Sequence, residues 1–183
     1  MASSLLDPRM DFSRDNFEVF GLAPAFGIDI DALSQAFRDL QAEAHPDRYA
    51  SADAAEQRKA LQWSTRLNEA YQTLKSPFER ARYLLMKQGI DALDPNNTRM
   101  SADFLMRQMA WRETLADAVA ASDMAALDRL EAETRNEVAQ AIGQLADLLD
   151  VRHDYPGAAE ALRQYRFLEK FLADIGDAYE EIE

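Results

Sequence analysis

Residues 29–74 read DIDALSQAFRDLQAEAHPDRYASADAAEQRKALQWSTRLNEAYQTL, two amphipathic stretches separated by a polar break. In the first, Leu33, Phe37, Leu40 and Ala44 follow helical spacing, which predicts a helix opening near Asp29 or Asp31 and running to His45, where Pro46 stops it. In the second, Ala60, Leu61, Ser64, Leu67, Ala70, Tyr71 and Leu74 predict a long helix from Ala54 to Leu74. Two such faces can bury each other as an antiparallel hairpin with HPDRYASAD at its tip. The tripeptide His45-Pro46-Asp47 then lies between the helices. Proline fixes its own φ and biases the residue before it out of the helical region, so an imidazole and a carboxylate are presented on a constrained loop.

Outward from the hairpin the pattern stays helical. A short first helix is expected within Asp11–Gly21, capped by Asp15 or Asn16, anchored by Phe17, Phe20 and Leu22 and closed by Gly21. Ser76-Pro77 can start another over Phe78–Lys87, ended by Gly89, and the turn-rich DALDPNNTRMSAD then reads as a linker. Beyond it, Asp103–Ala121 carries Phe104, Leu105, Gln108, Trp111, Leu115 and Val119 at helical spacing, and Asp123 caps a longer helix through Leu149. VRHDYPGA reads as a turn, and Ala158–Tyr179 completes a three-helix bundle. No strand-like alternation of useful length and no internal repeat is visible. The expected fold is all-α, with an N-terminal module over residues 10–90, a linker over 91–101 and a helical bundle over 102–183.

The chain has 183 residues, 48% of them hydrophobic, which is enough apolar material for a substantial core. Cysteine is absent, so disulfides, thiolate nucleophiles and Cys-held metal clusters are excluded, and a cytoplasmic setting is expected. No apolar run is long enough for a membrane helix, and residues 1–9 read as a leader with Met10 as the natural start. The net charge of −13 is uneven: Met10–Ile90 carry −2 and Asp91–Glu183 carry −11. Neither a nucleic acid backbone nor an anionic membrane suits so acidic a surface.

Asp11–Tyr83 resembles a J-domain, the module by which co-chaperones engage Hsp70. Besides the HPD tripeptide, the resemblance rests on Arg66–Leu74 (RLNEAYQTL) and Ser76–Tyr83 (SPFERARY), which are similar to that family's third and fourth helices. Phe104–Gln108 (FLMRQ) and Arg166–Lys170 (RFLEK), within an acidic helical second part, resemble the HscB family of co-chaperones in iron–sulfur cluster assembly. The resemblance implies an L-shaped arrangement of two domains, a specialised Hsp70 of the HscA type as one partner and a scaffold protein of the IscU type as the other. It implies no catalysis by the chain itself and no cofactor or metal.

The same resemblance implies the site residues. His45, Pro46, Asp47 and Arg48, with Arg38, would contact the Hsp70 ATPase domain and stimulate its hydrolysis of ATP. Leu105, Met106, Met109, Glu113 and Asp117, with Phe167 from the last helix, would hold the scaffold. Two positions depart from the family: Ala44 stands where tyrosine is common, and Ala110 where an acid is frequent. Other readings stand beside these. The HPD loop could simply turn the chain, His45, Asp47 and His153 could form a metal or acid–base site, and the chain could serve another client or be an inert interaction module. Leu105, Met106 and Met109 could belong to the core; if Phe104, Gln108, Trp111 and Leu115 face inward instead, those three turn outward and suit a partner surface.

Overall fold

The computed structural model describes residues 10–96 and 99–182, so the expected leader at 1–9 lies outside the described residues. All regular structure among the described residues is helical: α1 (Asn16–Val19), α2 (Ile30–Glu43), a 3-10 turn (Pro46–Tyr49), α3 (Ala54–Lys75), α4 (Pro77–Lys87), α5 (Ala102–Ala121), α6 (Met124–Ala146), a π-type turn (Asp147–Val151) and α7 (Tyr155–Ile182). The chain divides into two compact units, with the division between Arg80 and Ala81, inside α4.

In the first unit α1 is a single turn. The Asp15 carboxylate accepts the Phe17 and Glu18 amides, and Glu18 returns the favour by accepting the Asp15 N–H at 2.9 Å, a reciprocal capping box. Gly21, at φ +67°, then turns the chain out of the helix, a conformation that side chains disfavour. The caps of α2 and α3 are likewise aspartates, Asp29 and Asp53, each accepting two amides of the following turn.

The pairing of α2 with α3 is antiparallel. Ser34 and Tyr71 hydroxyls lie 3.2 Å apart, and one turn-pair further along α2 the Gln41 amide meets Ser64 at 3.0 Å, so climbing α2 descends α3. Between them Phe37 stacks on Tyr71 with ring centroids 4.1 Å apart. Ala60, Trp63, Leu67, Ala70 and Leu74 form the inward stripe of α3. Leu61, expected in that stripe, is exposed instead, because it lies about 100° round the helix from Ala60 and Trp63 fills the next inward place. Helix α2 stops two residues earlier than expected, at Glu43, with buried Ala44 as its C-cap and His45 already extended.

The second unit is a bundle of α5, α6 and α7. Antiparallel pairing of α5 with α6 is fixed by an ion pair between Arg107 and Glu137 and by the Trp111 indole N–H donating to Glu133 at 3.1 Å. Trp111 also stacks against Phe167 and Phe171 of α7, at 6.3 and 6.1 Å between centroids. Ala92 and Arg99 are fastened to this unit: the Arg163 guanidinium donates to their carbonyls, each at 3.1 Å.

Two boundaries differ from the sequence reading. Helix α6 was expected through Leu149, but from Asp147 the ladder widens and the Arg152 N–H closes on the Asp147 carbonyl at 2.9 Å. Helix α7 begins at Tyr155 rather than Ala158. Pro156 is tolerated because first-turn amides have no intrahelical partner, and the Asp154 carboxylate accepts the Gly157 N–H at 3.0 Å. A Cβ at Gly157 would sit 2.5 Å from that carboxylate, so a larger residue there would displace the Asp154 cap.

Candidate functional site

The HPD tripeptide forms the entry to the 3-10 turn. His45 is extended (φ −60°, ψ 130°), as expected before proline, and its Nδ1 accepts the Asp47 N–H at 3.3 Å. With Nδ1 accepting, the proton of the neutral ring sits on Nε2, which is left to donate outward. The Asp47 carboxylate stands 3.5 Å from the same Nδ1. The His45 and Asp47 side chains are 58% and 91% exposed, which rules out a packing role for either. Arg48 folds back, its guanidinium 3.5 Å from the Ala42 carbonyl at the C-terminal end of α2, where a cation suits the helix dipole.

Arg38 lies on exposed α2 surface, and its guanidinium donates to Gln35 at 2.6 Å while Gln35 in turn donates to Asp39 at 2.9 Å. His45, Asp47 and Arg48 therefore form one constellation at the turn, with Arg38 about two helical turns before it on the element that leads there. Ala44 is buried beneath the turn and offers no side-chain contact outward.

In the second unit α5 has two unlike faces. Phe104 and Trp111 are buried, with Gln108 and Leu115 half-buried, so this face belongs to the core. Leu105, Met106 and Met109 are 47%, 62% and 73% exposed, and Glu113 and Asp117 continue the exposed side. Three large apolar side chains within two turns, all facing water, exceed what one inward face requires. Phe167 is half-buried on α7, edge-on to Phe104 at 5.7 Å and stacked on Trp111. It is therefore held by the residues that place the exposed face of α5.

Arg112 is a member of this surface that the sequence reading passed over. Its guanidinium lies over the Phe167 ring at 5.6 Å, a cation–π contact, while Arg107 does the same to Trp111 at 4.8 Å. The signal was present, since Arg112 follows Met109 by three residues and so shares its side of the helix. Ala110 is exposed and adds no charge.

His153 lies in the other unit from His45, in a left-handed turn at φ +52° with Nδ1 2.9 Å from the Leu149 carbonyl. Among the described residues no group of three or more His, Cys, Asp or Glu side chains is placed to hold a metal ion. No helix among them is long and apolar enough to cross a membrane.

Comparison with known proteins gives a consistent result. The family described as the HSCB C-terminal oligomerisation domain matches residues 100–176. A co-chaperone protein HscB homolog of Paraburkholderia phymatum is 48% identical over 168 residues, 92% of this chain and 95% of that protein. Its counterpart in Ralstonia nicotianae is 47% identical, covering 93% of this chain and 97% of that one. Among solved structures, chaperone HscB from Vibrio cholerae superposes with a TM-score of 0.81 at 34% identity, over 93% of this chain and all of that one. Human co-chaperone protein HscB gives 0.80 at 27% identity, over 91% of this chain and 82% of that one. With near-complete coverage at such identity, and with the HPD turn and the two-faced α5 in place, this chain belongs to the HscB co-chaperone family.

Proposed function

We propose that the chain is a matchmaker: its N-terminal module, residues 10–90, is a J-domain that docks on an HscA-type Hsp70 in the cytoplasm, and its bundle, residues 102–183, carries an IscU-type iron–sulfur scaffold to that Hsp70. Residues 91–101 join the two. In this reading His45, Pro46, Asp47 and Arg48, with Arg38, contact the ATPase domain of the Hsp70 and accelerate its hydrolysis of ATP. Hydrolysis belongs to the partner; the chain contributes no reacting group and needs no cofactor.

The observation that carries the reading is the HPD turn itself. An imidazole and a carboxylate are held outward on a proline-fixed turn, and neither has a packing role to account for its position. A rigid polar tip flanked by arginines suits an acidic partner surface, where charges at the rim set the encounter rate and register. On the bundle, Leu105, Met106 and Met109 supply the apolar centre of a client contact, Phe167 its aromatic edge, and Glu113 and Asp117 its charged border. Flexible methionines suit a surface that must fit a partner and release it.

Single-turnover ATP hydrolysis by an HscA-type Hsp70 tests the docking half. Added wild-type protein is expected to accelerate hydrolysis, and the His45→Gln variant to leave the basal rate unchanged. Equal stimulation by both proteins would remove the HPD turn from the mechanism.

A further inference from the structure

Beside Phe167 the bundle contains an open cavity of about 280 Å3, floored by Leu93, Pro95, Met100 and the Phe167 ring. Three cations, Arg163, Arg166 and Lys170, gather around it within a sequence half that is otherwise strongly acidic. Arg163 is buried, and among the described residues its guanidinium donates to the carbonyls of Ala92 and Arg99 and forms no ion pair, Glu160 lying on the side of a neighbouring cavity. Arg166 and Lys170 are exposed and have no ion-pair partner among the described residues. The one acid in the lining, Asp94, accepts the Asn96 backbone and side-chain N–H groups at 2.8 and 2.9 Å, so the lining holds three cations against one carboxylate.

A desolvated guanidinium without a counter-ion raises the affinity of its surroundings for an anion, and two further cations at the rim add to that field. The floor, by contrast, is apolar. The ligand chemistry that satisfies both is an apolar group with a carboxylate next to it. The volume lies just below the roughly 300–1,000 Å3 of sites for drug-sized molecules, which fits an inserted side chain better than a free metabolite. Phe167 also ties the cavity to the α5 surface, since the same ring touches Phe104, Trp111 and the Arg112 guanidinium.

The geometry points to this cavity as a second docking point for the client protein, receiving an apolar side chain flanked by acidic residues while the rest of the client covers Leu105, Met106 and Met109. This rests on the client-surface reading given above and deepens it. Glu113 and Asp117 on α5 demand positive charge from the client, whereas Arg163, Arg166 and Lys170 demand negative charge. The two together fix the client's orientation, because a reversed client would place like charges opposite each other.

The test is titration calorimetry of the full chain with a metal-free IscU-type scaffold at about 50 mM and about 300 mM salt, a range over which exposed charge pairs become screened. Four proteins are compared: wild type, Met106→Ala/Met109→Ala, Arg166→Glu/Lys170→Glu, and the charge-preserving Arg166→Lys/Lys170→Arg, with circular dichroism to verify folding. Arg163 is left intact because it holds the Ala92 and Arg99 carbonyls. The reversed-charge variant is expected to bind about tenfold more weakly at low salt, with the gap closing at high salt. The charge-preserving variant should bind within about twofold of wild type, and the methionine variant should weaken at both salts alike. Wild-type or tighter binding by Arg166→Glu/Lys170→Glu, with binding lost in the methionine variant, overturns the second docking point alone. An unaffected methionine variant, or a wild-type protein that does not bind the scaffold, overturns the client surface and this inference with it.

Discussion

At the scale of single residues, the HPD turn has little part in holding the fold together. His45 Nδ1 accepts one exposed amide at 3.3 Å, a contact too long and too wet to contribute much stability. Replacing His45 with Gln should therefore change the melting temperature by no more than about 2 °C while removing Hsp70 stimulation, as scanning calorimetry and an ATPase assay would report side by side. Tyr179 offers the opposite case. Its hydroxyl donates to Asp128 at 2.7 Å and to Glu131 at 3.3 Å, and partial removal from water followed by those two acids pushes the phenol well above its ordinary pKa of 10.0. Because folding raises this pKa, the protonated phenol's contribution is present in full below the ordinary value and is lost as pH climbs from there toward the folded-state value. Thermal melts at about pH 9 and about pH 11 should show wild type losing more stability over that interval than Tyr179→Phe. A parallel loss in both proteins would contradict the assignment.

At the scale of elements, α5 shows why the exposed apolar face was legible only in part. Its sequence is apolar on two sides, and periodicity alone assigns Leu105, Met106 and Met109 to the core as readily as to a partner. What decides the matter is the Trp111 indole, which is fixed from both sides by Glu133 and the α7 aromatics and so orients the whole helix. Trp111→Ala should cost about 3–5 kcal/mol of stability, whereas Met109→Ala should cost less than about 0.5 kcal/mol and act on scaffold binding instead. Urea unfolding followed by circular dichroism measures the first, and calorimetric titration with the scaffold the second. The helices α2, α3 and α4 were readable because aspartate caps, Pro46, Pro77 and Gly89 mark their ends with side-chain chemistry. The end of α6 was not, since a widened turn through Asp147–Val151 has no marker residue and leaves the apolar period of Leu145, Leu148 and Leu149 intact. The start of α7 was hidden for a different reason: Pro156 reads as a break in isolation, and only the Asp154 cap makes it a first-turn residue.

At the scale of the whole molecule, charge is divided as the proposed work is. Residues 10–90 are close to neutral and present His45, Asp47 and Arg48 at one tip, while residues 91–183 carry −11 and place Arg163, Arg166 and Lys170 beside an apolar cavity. One part is suited to steer onto an acidic ATPase surface and the other to select a client by mixed charge and apolar contact. In the proposed function one chain serves both partners. The most direct test is the steady-state ATPase rate of an HscA-type Hsp70 measured with this protein alone, with a metal-free IscU-type scaffold alone, and with both together. A rate with both that exceeds the sum of the separate stimulations, and that collapses when His45→Gln replaces the wild type, is the predicted result. Stimulation by this protein that the scaffold does not increase would contradict the account, leaving a J-domain that serves some other client.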